Sequence, residues 1–259
     1  MCRWAAYIGA PIYLEDVISA PEQSLMRQSL RARESKTETN GDGFGIAWYG
    51  ARETPGVYHD VLPAWADHNL RSIAHQVRSH LFLAHVRAST GTATSRTNCH
   101  PFTVGAWSFM HNGQVGGYAG FRRQVDMMID EDCYAHRNGT TDSEALFLLA
   151  LGLGLADSPK AALEQATGRM EALSRASGET PHMRMTVAFT NGETLYAARY
   201  ASDEFAPSLY HRRSAGSDGW SVVSEPFERG DADWAELPPG SFATVTPDGA
   251  KIEPFMPSS

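Results

Sequence analysis

The chain has 259 residues, with 22 Lys+Arg against 30 Asp+Glu, a net charge of −8, 42% hydrophobic and 20% charged residues. This is an ordinary globular composition near the upper length for one core, and one domain over residues 1–259 is expected. No basic cluster exceeds Arg122-Arg123 or Arg212-Arg213, which excludes the basic face of a nucleic-acid binder, and no apolar run reaches the roughly 18 residues of a membrane span.

Cys2 stands at the head of the chain, and the run behind it (residues 4–8) reads as a strand that Gly9-Ala10-Pro11 turns. With Met1 removed, Cys2 carries a thiol and an α-amine on one carbon. Ordinary pKa values of about 8.5 and about 7.7–8.0 let the amine act as base toward the thiol. The plain alternative is a small buried hydrophobe, and partners elsewhere must decide. Residues 21–33 read as a helix with Pro21 at its first position. Asn40-Gly41-Asp42-Gly43 is turn chemistry leading into a strand at 44–49. It lacks the Lys-Ser/Thr and following helix of a phosphate loop.

A second strand is expected at 57–62, an amphipathic helix at 67–79 and a buried strand at 81–86 that ends at Arg87. A polar loop reaches Cys99-His100-Pro101-Phe102. A strand at 104–110 stops at His111-Asn112-Gly113, where Asn-Gly reads either as a hairpin turn or as an oxyanion hole. Helices follow at 118–129, from Thr141 or Asp142 as cap to about 155, and at 159–176. The apolar run 145–156 reads as a buried helix. From 183 onward the pattern is strands at 185–190, 194–200, 208–212, 220–224 and 241–246, with hairpin signals at Asn191-Gly192 and Asp248-Gly249. Strands, then helices, then strands without regular alternation argue for antiparallel sheets with helices on their faces.

His85, His100 and His111 lack the spacing of zinc ligands on one helix, and Cys99 and Cys133 complete no ligand set, so no metal is expected. The three cysteines form no disulfide framework. With no secretion signal at the N-terminus, a reducing, cytoplasmic setting is expected.

In this order, Met1-Cys2-Arg3, Gly41-Asp42-Gly43-Phe44-Gly45, His85-Val86-Arg87-Ala88-Ser89-Thr90, His100-Pro101-Phe102, His111-Asn112-Gly113 and Thr141-Asp142-Ser143-Glu144 form one pattern. Ser224-Glu225-Pro226 and Leu237-Pro238-Pro239-Gly240 continue it late in the chain. The pattern resembles the class II glutamine amidotransferases. The resemblance implies the N-terminal-nucleophile (Ntn) hydrolase fold, an α+β, four-layer αββα sandwich with two antiparallel sheets between helical layers. It implies Cys2 as nucleophile with its own amine as base, and Asn112 and Gly113 as the oxyanion hole. Arg87 would hold the substrate α-carboxylate, with Thr90 and His100 among the binding residues, and Asp142 the α-ammonium. One departure is Ala88, where members that feed sugar synthases often carry tryptophan.

The implied substrate is a small γ-glutamyl amide, glutamine or a γ-glutamyl conjugate, with no cofactor. The segment after Asp142 completes the sandwich and leaves no room for a synthase. The amine is therefore expected to pass to a separate acceptor subunit or to be released, as in stand-alone γ-glutamyl hydrolases of ergothioneine synthesis or a glutathione-degrading subunit. A catalytically silent glutamine sensor is the alternative of a different class. A self-cleaving amidase is disfavoured because only Met1 precedes Cys2.

Overall fold

The computed structural model describes residues 2–34, 39–89, 93–214, 217–228 and 233–258. The strands are β1 (Arg3–Tyr13), β2 (Phe44–Tyr49), β3 (Gly56–Asp60), β4 (Arg78–Val86), β5 (Phe102–Val104), β6 (Trp107–Val115), β7 (Met183–Thr190), β8 (Leu195–Ala201), β9 (Tyr210–Arg213), β10 (Gly219–Val223), β11 (Ala235–Glu236), β12 (Ser241–Thr246) and β13 (Gly249–Pro254). The helices are α1 (Glu15–Ile18), α2 (Leu25–Leu30), α3 (His68–Gln76), α4 (Tyr118–Asp126), α5 (Glu131–Tyr134), α6 (Asp142–Gly152) and α7 (Pro159–Ser177). One sheet has the order β11-β9-β10-β1-β4-β2-β3 and the other β13-β12-β8-β7-β6-β5. Their described pairings are antiparallel.

Strand alternation divides the interior into three cores. In β1, Ala5 and Tyr7 face Val17, Leu25 and Leu70 of the first three helices, beside Phe82 and Ala84 of β4. The intervening Trp4, Ala6 and Ile8 turn the other way and meet Met110, Ala188 and Ala197 across the gap between the sheets. Beyond the second sheet, Phe109, Val187 and Phe189 pack on Phe121, Phe147 and Met170 of α4, α6 and α7. Helices, sheet, sheet and helices follow one another, the expected αββα sandwich. Residues 145–150 are buried on every side, so α6 is apolar all round, as a helix under a second helical cover must be.

Three local expectations are corrected. Gly9-Ala10-Pro11 does not end the first strand. β1 continues to Tyr13 through a register shift between Ile8 and Ile12, and such an irregularity accommodates a proline that cannot donate to the ladder. Asn112-Gly113 is no hairpin turn, because β6 runs through it and pairs these residues with Thr186 and Met185. The helix expected over 21–33 is only α2, because Ser24 caps it by accepting the Arg27 N–H, leaving Pro21 outside.

Candidate active site

The strand register assembles the site before any side chain is considered. Val86 pairs with Arg3 on one side and Phe44 on the other, which brings Cys2, Arg87 and Gly43 to one end of the first sheet. The turn before β2 then fixes the arginine. Asp42 N–H donates to Arg87 O at 3.0 Å, and Arg87 N–H donates to Gly43 O at 2.8 Å. Ser89 N–H donates to Asp42 Oδ2 at 2.7 Å.

Gly43 has φ 114°, and a Cβ there would lie 2.8 Å from both Asp60 O and Cys99 Sγ. Only glycine tolerates that conformation in that space. Gly43→Ala is therefore expected to lower the unfolding free energy by about 1–3 kcal/mol. Urea titration of the two proteins measures it, and coincident midpoints would show that the turn carries no such constraint.

The half-buried Cys2 thiol is held by the main chain of the next loop. Ala88 N–H donates to Sγ at 3.4 Å, and the thiol donates to Ala88 O at 3.6 Å. Burial pushes the thiol pKa up, and the Ala88 N–H with the Arg87 and Arg3 cations only partly offsets it. Such a thiol stays protonated at neutral pH and needs a base. Arg87, buried, directs its guanidinium to Asp42 O at 3.3 Å, Ser89 Oγ at 3.4 Å and Ala93 O at 3.3 Å.

Asp142 is the first residue of α6, and Thr141 is the cap, accepting the Glu144 N–H. The Asp142 carboxylate is thereby free to reach β6, where Oδ2 accepts the Val115 N–H at 3.0 Å. Its Oδ1 accepts the Ser143 N–H at 2.8 Å. Ser143 Oγ in turn shares a 2.8 Å hydrogen bond with His111 Nδ1.

Buried imidazoles back the site. His85 and His100 pack against each other with ring centroids 4.3 Å apart and planes tilted by 31°, and no ring nitrogen of either has a hydrogen-bond partner among the described residues. Burial drives the His85 pKa down to about 3 and holds His100 well below the ordinary histidine value. Burial also lowers His111, with the Asp142 charge acting against it.

A pocket of about 610 Å³ opens over these groups, and Cys2, Arg87, His100, Gly113 and Asp142 all line it. Gly113 is required by close approach, since a Cβ would collide with the Arg184 carbonyl of β7. Asn112 does not line this pocket. It is 1% exposed, sits by alternation on the inter-sheet face with Met110, and neither atom of its side-chain amide has a hydrogen-bond partner among the described residues. Thr90 lies outside the described residues. The sequence reading missed Ala88, whose main chain grips the sulfur, and Ser143. Asp42 was visible only as a residue of the turn and of the family pattern around it, with no role of its own. Among the described residues no group of three or more His, Cys, Asp or Glu could hold a metal ion.

Comparison with known proteins decides the family. The model of the family "Glutamine amidotransferases class-II" matches residues 19–215. The chain belongs to the class II glutamine amidotransferases. A probable glutamine amidotransferase of Saccharomyces cerevisiae, DUG3, is 31% identical over 99% of this chain and 85% of its own length. The gamma-glutamyl-hercynylcysteine sulfoxide hydrolase of Mycolicibacterium smegmatis is 29% identical over 98% of this chain and 100% of its own.

Among solved structures, a glutamine aminotransferase class-II domain protein from Silicibacter pomeroyi is 50% identical, with a TM-score of 0.82 and full coverage of both chains. The glutamine phosphoribosylpyrophosphate amidotransferase of B. subtilis, 16% identical with a TM-score of 0.66 over 99% of this chain and 50% of that one, shares the fold. The stretch matched by the class II amidotransferase model contains Arg87, Asn112, Gly113 and Asp142, and Cys2 lies ahead of it.

Proposed function

We propose that this class II glutamine amidotransferase cleaves γ-glutamyl amides through a glutamyl thioester on Cys2. The observation that carries the reading is the convergence of Cys2, Arg87, Gly113 and Asp142 on one pocket. Arg87 takes the α-carboxylate of the glutamyl group in a planar two-pronged contact, and Asp142 takes its α-ammonium. The Cys2 amine accepts the thiol proton as sulfur bonds to the γ-carbonyl carbon. Negative charge moves onto the carbonyl oxygen, where the N–H of Gly113, which lines the pocket, stabilises it. Collapse of the tetrahedral intermediate breaks the C–N bond, and the ammonium group returns the proton to the leaving amine. Water, deprotonated by the same amine, then attacks the thioester. Glutamate departs and the thiol is restored.

Pocket size favours a conjugate over glutamine. Glutamine's ten non-hydrogen atoms, at no more than the roughly 30 Å³ each that a water occupies, fill at most about half of the pocket. The remaining length, along Gly116, Gly117, Tyr118, Gly120 and Glu179, is open to a larger leaving amine. The name of the yeast relative, an amidotransferase, supports transfer of that amine, and the name of the mycobacterial one, a hydrolase, supports its release. The free thiols of Cys2, Cys99 and Cys133 suit a reducing cytoplasm, and no described helix is long and apolar enough to cross a membrane.

The test is glutamate release from glutamine and from a panel of γ-glutamyl dipeptides and amides, with Cys2→Ala as control. The dipeptides are expected to exceed glutamine in kcat/KM by tenfold or more, and Cys2→Ala to release none. Binding of glutamine without turnover of any substrate would favour the sensor instead.

A further inference from the structure

The pair Ser224-Glu225 stands out in the sequence and has no part in the chemistry above. Glu225 is 2% exposed and Arg3 fully buried, yet the two charges lie 3.9 Å apart at Arg3 Nε, and that nitrogen has no hydrogen-bond partner among the described residues. The Glu225 carboxylate instead accepts the main-chain N–H groups of Arg33 at 3.0 Å and Glu34 at 3.1 Å. It also accepts the Gln23 amide at 3.1 Å. Arg3 gives its terminal nitrogens to Ser224 O at 3.0 Å and Glu34 O at 2.7 Å. Ser224 clamps the next residue, its Oγ accepting Trp4 N–H at 2.9 Å and its N–H donating to Trp4 O at 3.0 Å. Both residues behind Cys2 are thus held by residues 224 and 225.

A buried ion pair is a poor way to stabilise a fold, because desolvation consumes most of the Coulombic gain. A long pair with one nitrogen unsatisfied is poorer still. As a device that sets direction and charge beside a nucleophile, the same arrangement is well built. The network also reaches the substrate side. Gln28 Nε2 donates to Glu225 O at 3.1 Å, and Asn40 Nδ2 donates to Gln28 O at 3.4 Å, two residues before the aspartate that holds the Arg87 main chain.

We infer that Ser224 and Glu225 are positioning residues for the nucleophile: by fixing Arg3 and Trp4 they set the direction in which Cys2 leaves β1, and the Glu225 carboxylate balances the Arg3 charge one residue from the thiol. The inference rests on Cys2 being the nucleophile of the proposed reaction. Glu225→Gln keeps the size, puts an NH2 donor in place of one of the oxygens that accept from Gln23, Arg33 and Glu34, and leaves the Arg3 cation unbalanced. Its kcat for γ-glutamyl hydrolysis is expected to fall about tenfold or more through misalignment, with KM within about threefold. The pH midpoint for iodoacetamide alkylation of Cys2, read by peptide mass, should move down by several tenths of a pH unit as the uncompensated cation favours thiolate. Glu225→Asp restores the charge and should return the midpoint.

A structural role alone predicts a lower Tm with unchanged kcat and an unchanged midpoint, and that result overturns the inference. Should Glu225→Gln fail to fold, Ser224→Ala removes the hydroxyl half of the Trp4 clamp and keeps the ion pair. It must lose kcat with the alkylation midpoint in place, and an unchanged kcat there also overturns the inference. If the wild-type protein cleaves no γ-glutamyl amide, the proposed reaction falls, while the alkylation arm still decides the charge-balancing role of Glu225.

Discussion

Protein in which Met1 remains attached is expected to release glutamate from γ-glutamyl amides about 10²–10⁴-fold more slowly than the same protein processed to Cys2, the span that a positioned general base contributes. The argument is one of proton acceptors. Burial pushes the Cys2 thiol up, so attack needs a base that is free at neutral pH. His100 lines the pocket but is held well below the ordinary histidine value, which makes it a poor acceptor. His111 has both ring nitrogens engaged, by Ser143 Oγ at 2.8 Å and Arg184 O at 3.4 Å. An α-amine with an ordinary pKa of about 7.7–8.0 is the better base, and acylation by Met1 turns it into an amide that accepts no proton. Intact-mass measurement of each preparation, paired with glutamate release, tests this. Equal turnover by a homogeneous Met1-bearing sample and the processed one would move the base to an imidazole, with His100 the first to replace.

The parts of the fold legible in the sequence were those where local pattern and tertiary burial ask for the same thing. The expected strands at 44–49 and 241–246 coincide with β2 and β12, and the expected helix at 159–176 differs from α7 by one residue at its end. Two of the three misreadings share a cause. Gly9-Ala10-Pro11 and Asn112-Gly113 both carry turn chemistry, and at both the ladder with a distant strand overrides it, β4 in one case and β7 in the other. Turn propensity is a local preference, whereas a central strand is fixed by partners many residues away. The site follows the same division. Residue types and their order pointed to Cys2, Arg87, Gly113 and Asp142 through a family resemblance. That Ala88 grips the sulfur through its main chain could not be read, because the contact is made by atoms every residue has. Asp42 and Glu225 were visible only as members of motifs, since their roles depend on which strands lie side by side.

Through two histidines, acidification is expected to cost the native state about 2 kcal/mol per pH unit on average between pH 6.5 and pH 5, steepening toward twice the roughly 1.4 kcal/mol that one proton carries at the acid end. His85 and His100 are 1% and 4% exposed, and their four ring nitrogens find no hydrogen-bond partner among the described residues. Burial lowers His85 to about 3 and His100 well below its usual value, and the neighbouring Arg87 cation acts in the same direction on both. In the unfolded chain each titrates near 6.5. Above that pH neither state binds the proton and stability is complete. As pH falls below it, the unfolded chain gains protons that the native state refuses, and stability drops until the folded values are reached.

By pH 5 the two together remove about 4 kcal/mol, a large share of the 5–15 kcal/mol typical of a domain. His59, lowered to about 4 by burial, adds nearly as much as His85 down to pH 5, and His111 and His211, which burial also lowers, act in the same direction. The paired carboxylates Asp60 and Asp203, whose pKa values lie below the usual carboxylate value, lose their contribution only at still lower pH and do not confuse the reading. Urea unfolding at pH 7, 6, 5.5 and 5 gives the slope, and His85→Gln should reduce it by about one proton. A slope below that of a single proton would mean that solvent or a partner reaches these imidazoles in the native protein, and the wall of buried neutral imidazoles behind the site would have to be abandoned.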